Sequence, residues 1–560
     1  MEPAATVGAD ETGAGWNAAT AAPALALVLA ACGGGGATTG TAPTTASAPV
    51  VVVAAPLTTT QSSRFLAQAT MGATDADIQA VITRGVDGWL TDQFAMARAT
   101  SHWDWLQNNG YNVAANINAE TGFDPAMWRQ LIAEPDQLRQ RVGIALLDLL
   151  VVGISGVNLN WKQFAMAAYV DSLWDNAFGN YRQILDAITY NAAMGSFLTF
   201  LGNKKANATT GAQPDENYAR ELMQLFTLGL YQLNADGSVK SGADGQPLET
   251  YKPADVSGIA RVFTGLNLAS SDSTTPARYR LPLVMTASTN ETGTASFLGT
   301  STAGGGTAAV KTALDTIFAH PNIAPFVSRQ LIQRLVTSNP SAGYVGRVSA
   351  AFADNGKGVR GDMQAVIRAI LTDTEARSDT VLASTSAGKL REPVTRLTGW
   401  ARAFGATSPS AAWAIGDTSS TTTRLGQSPG RSSTVFNFFR PGYTPPNTSL
   451  SAAGLVAPEF QITNEQTVVA YVNYLYGLIV NGTGDVKADY TAILAKAADT
   501  QALVDQVNLV LAANQLSAAT VASIKAAVDS ISATTATGPQ YRVNAAILLT
   551  MSSPDYLTVK

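Results

Sequence analysis

The chain has 560 residues, 46% of them hydrophobic and 14% charged, so it can build a large core in more than one subdomain, and wholesale disorder is excluded. A net charge of −5 without a dense run of Lys or Arg argues against nucleic acid as a partner. One cysteine and two histidines exclude an intramolecular disulfide and argue against a cysteine-based zinc site or a histidine-based catalytic triad. We therefore predict no metal site, and no motif identifies a cofactor.

The amino-terminal segment has the form of a lipoprotein signal. An apolar stretch over residues 25–31 ends in Leu29-Ala30-Ala31-Cys32, which resembles the lipidation motif of bacterial lipoproteins. We predict a signal peptide over 1–31, lipidation of Cys32, and a flexible tether rich in Gly, Thr, Ala and Pro over 32–62. The first 24 residues contain no Lys or Arg, whereas a normal signal begins with positive charge. Soluble export, or a leader without function, therefore remains an alternative.

Beyond the tether, helical periodicity dominates the chain. Ala, Leu, Gln and Arg recur at helical spacing, which predicts a helical core over 63–481 and a further helical portion over 482–560. In chain order, the predicted helices lie at 63–96, 125–152, 160–201, 214–232, 253–266, 308–336, 341–353, 359–372, 386–405, 463–481 and 500–531. We predict a mainly α fold, a large multi-helix domain with a minor β-hairpin excursion and long ordered loops.

Three segments interrupt the helical pattern. Turn residues at 234–237 and 244–245, followed by residues with strand character at 248–251, predict the hairpin. Residues 279–300 form the other segment that we expect to be extended. Residues 417–446 combine Ser, Thr, Gly and Pro with aromatic side chains, which predicts a long ordered loop, and a loop of this length inside a compact domain is usually functional.

The segment from Pro214 to Gly229 carries the densest set of polar side chains on any predicted helix. These side chains fall on two adjacent lines of the helix surface, opposite an apolar stripe. In one interpretation they form a site in which the carboxylates of Glu216 and Glu221 perform acid–base catalysis. In the other, they form a buried network that orients helices without any chemistry. The predicted ligand-binding side chains of this segment are Asn217, Arg220 and Gln224.

Two more arginines are candidates for ligand binding. Arg391 precedes Glu392-Pro393 at the start of a predicted helix, and Arg440 lies in a stiff aromatic turn within the long loop. We expect the loop over 417–446 to cover the helix over 214–229, which would leave a cleft. The side chains expected to line that cleft are Arg220, Glu221, Arg391 and Arg440. The alternative is that the loop is a structural clamp.

The polar segment also resembles the signature of a bacterial family known as domain of unknown function 1800. Further blocks of the chain are similar to the family in the same order, among them Gly388-Lys389-Leu390-Arg391-Glu392-Pro393 and Val435-Phe436-Asn437-Phe438-Phe439-Arg440-Pro441-Gly442-Tyr443. The other blocks are 64–70, 177–182, 194–198, 321–340, 358–362 and 458–460. The resemblance implies an exported bacterial protein of mainly helical fold, with no agreed activity.

Two functions are compatible with these patterns. The first is an exported protein in the cell envelope, held there by a lipid anchor or secreted, that binds or assembles an unidentified envelope or secreted partner. In that case contact with the membrane is made only through the lipid anchor. The second is an exported hydrolase that uses the carboxylate pair of the 214–229 helix. The scarcity of histidine and the absence of nucleophile motifs favour the binding role.

Overall fold

The computed structural model describes residues 56–560. The predicted signal peptide over 1–31, Cys32 and the tether as far as residue 55 lie outside the described residues. Within 56–560, the chain forms one unit in which the predicted helical core and the C-terminal helical portion pack together. None of the helices in this range is long and apolar enough to cross a bilayer.

Helices dominate the described part of the chain, as the periodicity predicts. The first eight are α1 (Thr59–Ala69), α2 (Asp75–Ala95), α3 (His102–Asn108), α4 (Phe123–Ala133), α5 (Gln137–Leu149), α6 (Lys162–Asp175), α7 (Tyr181–Thr189) and α8 (Ala192–Phe197). The next eight are α9 (Asn217–Glu221), α10 (Pro253–Val262), α11 (Gly306–Ala319), α12 (Ile323–Leu335), α13 (Ala342–Ala353), α14 (Met363–Thr372), α15 (Thr374–Arg377) and α16 (Pro393–Ala403).

The remaining elements include the C-terminal helices and six short strands. The helices are α17 (Ser449–Ala452), α18 (Glu465–Asn481), α19 (Thr491–Leu494), α20 (Thr500–Ala512), α21 (Ala518–Asp529), α22 (Gly538–Ser552) and α23 (Pro554–Leu557). The strands are β1 (Leu266–Asn267), β2 (Val284–Met285), β3 (Ala295–Phe297), β4 (Thr300–Thr302), β5 (Lys389–Leu390) and β6 (Thr558–Val559). They pair antiparallel as β1–β2, β3–β4 and β5–β6, so the predicted mainly α class is confirmed.

The core is centred on α5 and α6. Both helices bury side chains around most of their circumference, which is expected of a helix enclosed by others. Gly143 of α5 lies against the indole ring of Trp174, and a Cβ atom at this position would approach the ring to 2.4 Å. The absence of a side chain at Gly143 therefore permits the close packing of α5 on α6.

Several predicted boundaries are wrong for local reasons. Helix α1 is capped by the hydroxyl of Thr58 and begins at Thr59, so the last residues of the predicted tether are helical. The helix predicted over 386–405 begins only at Pro393, because proline favours the first helical position and disfavours helical backbone in the residue before it. Residues 389–390 instead form β5, which pairs with β6 near the C-terminus.

The predicted hairpin is present between α9 and α10. Isolated bridges join Tyr231 to Glu249, Leu233 to Val239 and Ser241 to Pro247, so three short extended segments pair with one another. The long loop is also confirmed, because the structure has no helix or strand between the end of α16 and the start of α17. Within the described chain, these two irregular regions border the candidate site.

Candidate functional site

Six charged side chains meet beneath the long loop and form what we call the buried ionic cluster. They come from α5, from α12, from β5 and the residue that caps α16, and from the turn of helix before α18. Its members are Arg141, Asp148, Arg334, Lys389, Glu392 and Glu459. Three acids and three bases balance in formal charge, which is what burial of so many ionic groups requires.

Lys389 is the centre of this cluster. Its Nζ atom lies 3.2 Å from Glu392 Oε1 and 3.0 Å from Glu459 Oε1, and it donates to the backbone carbonyl of Arg334 at 2.8 Å. The side chains of Lys389, Glu392 and Glu459 are each only 2% exposed. All three donor positions of the ammonium group are therefore used, and the two carboxylates have a common counter-ion inside the protein.

Asp148 is the cluster member with the most unusual environment. Burial, reinforced by repulsion from Glu392, raises the pKa of Asp148 to about 7. Its Oδ1 atom accepts a hydrogen bond from Asn437 Nδ2 at 2.6 Å, whereas its Oδ2 atom is buried without a partner among the described residues. Asp148 lines a cavity of about 20 Å³ together with Gln427 and Ser428. That volume is enough for one water molecule, so a substrate could not enter without movement of the loop.

The long loop is attached to the cluster by two amide side chains. Gln427 donates from Nε2 to Glu392 Oε2 at 3.0 Å and accepts from the backbone N–H of Val394 at 3.2 Å. Asn437 donates to Asp148 and has φ of +59°, a left-handed conformation that Asn tolerates better than most residues. The loop is therefore fixed at two points by charge-assisted hydrogen bonds to buried carboxylates.

The outer side of the same loop, together with the turn of helix over 458–462, exposes aromatic and cationic side chains. Phe436 is 38% exposed, Phe460 is 36% exposed, and the guanidinium of Arg440 lies 4.7 Å from the centre of the Phe436 ring. The backbone N–H of Arg440 donates to the side chain of Gln461, the residue after Phe460. These contacts place Phe436 and Arg440 beside Gln461, the sequence neighbour of Phe460, and we call Phe436, Arg440 and Phe460 the loop surface.

An apolar groove adjoins the loop surface. It has a volume of about 220 Å³ and lies between the hairpin, α12 and the loop residues Pro441 and Gly442. Among its lining side chains, Leu230, Tyr231 and Val239 are 49%, 44% and 46% exposed. The groove therefore continues the exposed apolar area from the loop toward the end of the polar segment over 214–229.

The polar segment itself is only partly α-helical. α9 covers Asn217–Glu221, and residues Leu222–Thr227 continue as a π-helix, in which Thr227 Oγ1 donates to the carbonyl of Leu222 at 2.6 Å. The buried side of the segment is held by Tyr218, whose ring stacks on Phe200 with centroids 4.2 Å apart. π-Helical turns widen the helix and occur often near functional sites.

The family is settled by comparison with known proteins. A family profile described as "Protein of unknown function (DUF1800)" matches residues 64–558. The chain belongs to the DUF1800 family. No curated protein and no solved structure matches this chain. Membership in DUF1800 carries no assigned activity, so the site has to be interpreted from its own geometry.

The polar residues predicted as a site on the 214–229 segment lie mostly at the surface. Arg220 Nη2 is 3.0 Å from Glu216 Oε2, and both side chains are more than one third exposed. Ser257 donates to the other carboxylate oxygen of Glu216 at 2.5 Å. Asn217 donates weakly to Thr199, and Gln224 is half-buried. An exposed pair of this kind contributes about 0.3–0.5 kcal/mol, so it does little to hold the fold together.

Glu221 differs from its neighbours because it is buried. The side chain is 8% exposed, its Oε2 atom has no partner among the described residues, and burial raises its pKa against the opposing effect of Arg220. The hydroxyl of Tyr251 is also buried without a partner, and burial raises the pKa of Tyr251 to about 12. Glu221 is therefore the one predicted catalytic residue with an environment that perturbs a carboxylate.

The two arginines predicted to complete a cleft lie elsewhere. Arg391 donates to the backbone carbonyl of Tyr556 at 3.1 Å and stacks on the Tyr556 ring, and burial lowers its pKa. Arg440 belongs to the loop surface. Within residues 56–560, no hydrogen bond or ion pair joins either arginine to Glu221 or to Arg220. The loop and the C-terminal end of the polar segment meet at the groove, which Gly442 and Leu228 both line.

Sequence reasoning missed the buried ionic cluster as a site. Lys389, Glu392 and Glu459 lie in blocks that carry the resemblance to DUF1800, but nothing in the sequence shows that these blocks meet. One usable signal was present, because Asp148 is the only charged residue within the apolar run over 142–154. Within the described chain, no group of three or more His, Cys, Asp or Glu side chains is arranged to hold a metal ion.

Proposed function

We propose that this DUF1800 protein is an exported, envelope-attached binding or assembly protein that recognises a surface or secreted protein partner through the loop surface. One observation carries the proposal: each exposed phenylalanine is adjacent in sequence to a side chain held by the buried ionic cluster. Phe436 precedes Asn437, which binds Asp148, and Phe460 follows Glu459, which binds Lys389. The cluster thus fixes the backbone next to both exposed aromatic rings.

The composition of the loop surface supports a protein partner. Aromatic and arginine side chains provide most of the binding free energy in many protein interfaces, and an anchored loop loses less entropy on binding than a mobile one. The cavity beneath the loop has room for only one water molecule, which supports binding by the outer side of the loop rather than catalysis beneath it.

Export and envelope attachment are part of the same proposal. They are supported by the Leu29-Ala30-Ala31-Cys32 motif and by the apolar stretch before it. A strain that expresses the Cys32→Ser variant, labelled with radioactive palmitate, tests this part of the proposal. The parent chain is expected to incorporate label and to fractionate with membranes, and the variant is expected to lose both properties. Equal labelling of the two chains would refute lipidation at Cys32.

The binding role is tested by photocrosslinking in the native cell. A photoreactive amino acid replaces Phe436, and the control replaces Tyr541, a side chain of α22 that is 55% exposed and belongs to neither the loop surface nor the groove. We expect a discrete adduct from position 436 that disappears when Arg440→Glu or Phe460→Ala is added. The same adducts from both positions, or no adduct from position 436, would refute the proposal.

Hydrolysis remains a second candidate because of one observation at Glu221. A buried carboxylate oxygen without a partner and with a raised pKa is suited to act as a general acid. The Glu221→Gln variant, assayed beside the parent on a panel of ester, amide and glycoside substrates, tests this role. A hydrolase that uses Glu221 would lose about 10²–10⁴-fold in kcat. Equal rates for both chains, or no rate for either, would remove this candidate.

A further inference from the structure

The groove beside the loop surface has the dimensions of a side-chain pocket. Its volume of about 220 Å³ is below the roughly 300–1,000 Å³ typical of small-molecule sites. One or two apolar side chains of a partner would fill it. The walls are formed by α12, which contributes Phe326 and Gln333, and by the hairpin, which contributes Leu230, Tyr231 and Val239.

The shape of the groove depends on one close backbone approach and on one side chain that bridges α12 to the loop. Gly229 has φ of +74°, and a Cβ atom there would come within 2.9 Å of the Phe326 ring. Gln333 donates from Nε2 to the carbonyls of Ser338 at 3.0 Å and Pro441 at 3.4 Å, which connects α12 to the loop side of the groove. The groove is therefore preformed in the structure, and a ligand would not have to order its walls.

The charge of the groove is unbalanced. No acidic residue lines it, whereas the exposed Arg329 does, and Arg329 makes no hydrogen bond or ion pair with any residue of the described range. Arg440, which directly precedes the lining residue Pro441, is exposed and also lacks a carboxylate partner within 56–560. One unpaired guanidinium group in the groove wall, with a second on the residue before the lining residue Pro441, favours a carboxylate on the ligand, since Arg forms paired hydrogen bonds with carboxylates. The net charge of the whole chain is −5, so this local excess of positive charge is not a general property of the protein.

We propose that the groove binds an acidic peptide segment of a protein partner, with an apolar side chain inserted between Leu230, Tyr231 and Val239 and a carboxylate bound by Arg329 and Arg440. This inference rests on the proposed binding function and specifies the chemistry of its partner. The apolar contact supplies affinity through buried area, and the carboxylate selects acidic segments over basic ones. A carboxylate at this position comes from an Asp or Glu side chain or from a chain terminus.

Fluorescence anisotropy with three labelled ten-residue peptides and the full chain tests the inference. The peptides alternate leucine with glutamate, leucine with lysine, and serine with glutamate. We expect saturable binding of the leucine–glutamate peptide, and binding at least about tenfold weaker for each of the other two, since each lacks one of the two required features. Equal binding of the lysine peptide or the serine peptide, or no binding of any peptide, would overturn the inference.

Charge variants identify the groove as the binding site. Arg329→Gln is expected to weaken the leucine–glutamate peptide at least about fivefold, and Arg329→Gln with Arg440→Gln by more. The matched control is Arg84→Gln, which removes one exposed guanidinium from α2, where Arg84 pairs with Asp92. An equal effect of Arg84→Gln and Arg329→Gln would refute the site.

The crosslinking experiment at position 436 uses the natural partner and a different readout. A chain that crosslinks through position 436 but binds none of the peptides keeps the proposed function and loses only this inference.

Discussion

Replacement of Lys389 by methionine tests the buried ionic cluster most directly. Methionine keeps much of the side-chain volume but removes the charge that Glu392 and Glu459 share. All three side chains are 2% exposed, so the two carboxylates would remain inside the protein without the one cation that both contact. Removal of one partner from a buried ion pair costs about 3–5 kcal/mol, and we expect the unfolding free energy of Lys389→Met to fall by that amount at pH 8.

The pH dependence of this loss distinguishes electrostatics from packing. A carboxylate buried without a counter-ion has a higher pKa in the folded chain than in the unfolded chain. Its destabilising effect therefore grows as the pH rises from the unfolded pKa to the folded pKa. The loss of unfolding free energy in Lys389→Met should therefore be smaller at pH 5 than at pH 8. Adding Glu459→Gln removes one stranded charge and is expected to restore about 1–2 kcal/mol at pH 8.

Urea unfolding followed by circular dichroism measures these changes. The control is Lys525→Met, which breaks the exposed i,i+4 pair of Lys525 with Asp529 at 2.6 Å and should cost no more than about 0.5 kcal/mol. A loss of less than about 1 kcal/mol for Lys389→Met, or a loss that does not change with pH, would show that internal charge pairing does not stabilise the cluster.

Three further variants test single contacts. Asp148→Asn should remove a pH dependence of stability. Because the pKa of Asp148 in the folded chain is raised to about 7, the folded chain holds a proton that the unfolded chain has released, and the parent loses stability as the pH rises from about 4 to 7. A variant with an unchanged pH profile in urea unfolding would contradict this. Glu221→Gln should increase the unfolding free energy more at pH 8 than at pH 4. Burial disfavours the charged carboxylate and so raises its pKa, and the charge is present at pH 8. Equal effects at pH 4 and pH 8 would contradict this prediction. Gly229→Ala should cost about 1–3 kcal/mol, because a positive φ and the Phe326 ring both oppose a side chain, and a melting temperature equal to that of the parent would contradict it.

Much of the local structure follows from the sequence because it depends on neighbouring residues. Helical periodicity predicted the mainly α class, and the clustering of Ser, Thr, Gly and Pro predicted the ordered loop over 417–446. Element boundaries were less predictable where one residue decides them. Pro393 sets the start of α16, and Ala513 and Asn514, with φ of +52° and +58°, split the helix predicted over 500–531 into α20 and α21.

The candidate site was less predictable than the fold. The sequence correctly indicated that the segment over 214–229 has one buried and one polar side, but side-chain periodicity cannot show which polar groups lose contact with water. In the structure, Glu216 and Arg220 remain at the surface, whereas Glu221 is buried. Burial depends on the elements that pack against the segment, among them α10, and those contacts are not encoded in the spacing of the segment itself.

Sequence alone establishes the family, the helical class, the polar segment and the presence of a long loop, because each rests on local pattern or composition. The packing of the helices is needed to show that Asp148, Lys389, Glu392 and Glu459 share one interior and that the loop is hydrogen-bonded to it. These residues are separated by up to hundreds of positions, and ionic pairing in the interior depends on distance and desolvation in space. The cluster also fixes the backbone beside Phe436 and Phe460, because their sequence neighbours Asn437 and Glu459 point inward to bind charged partners.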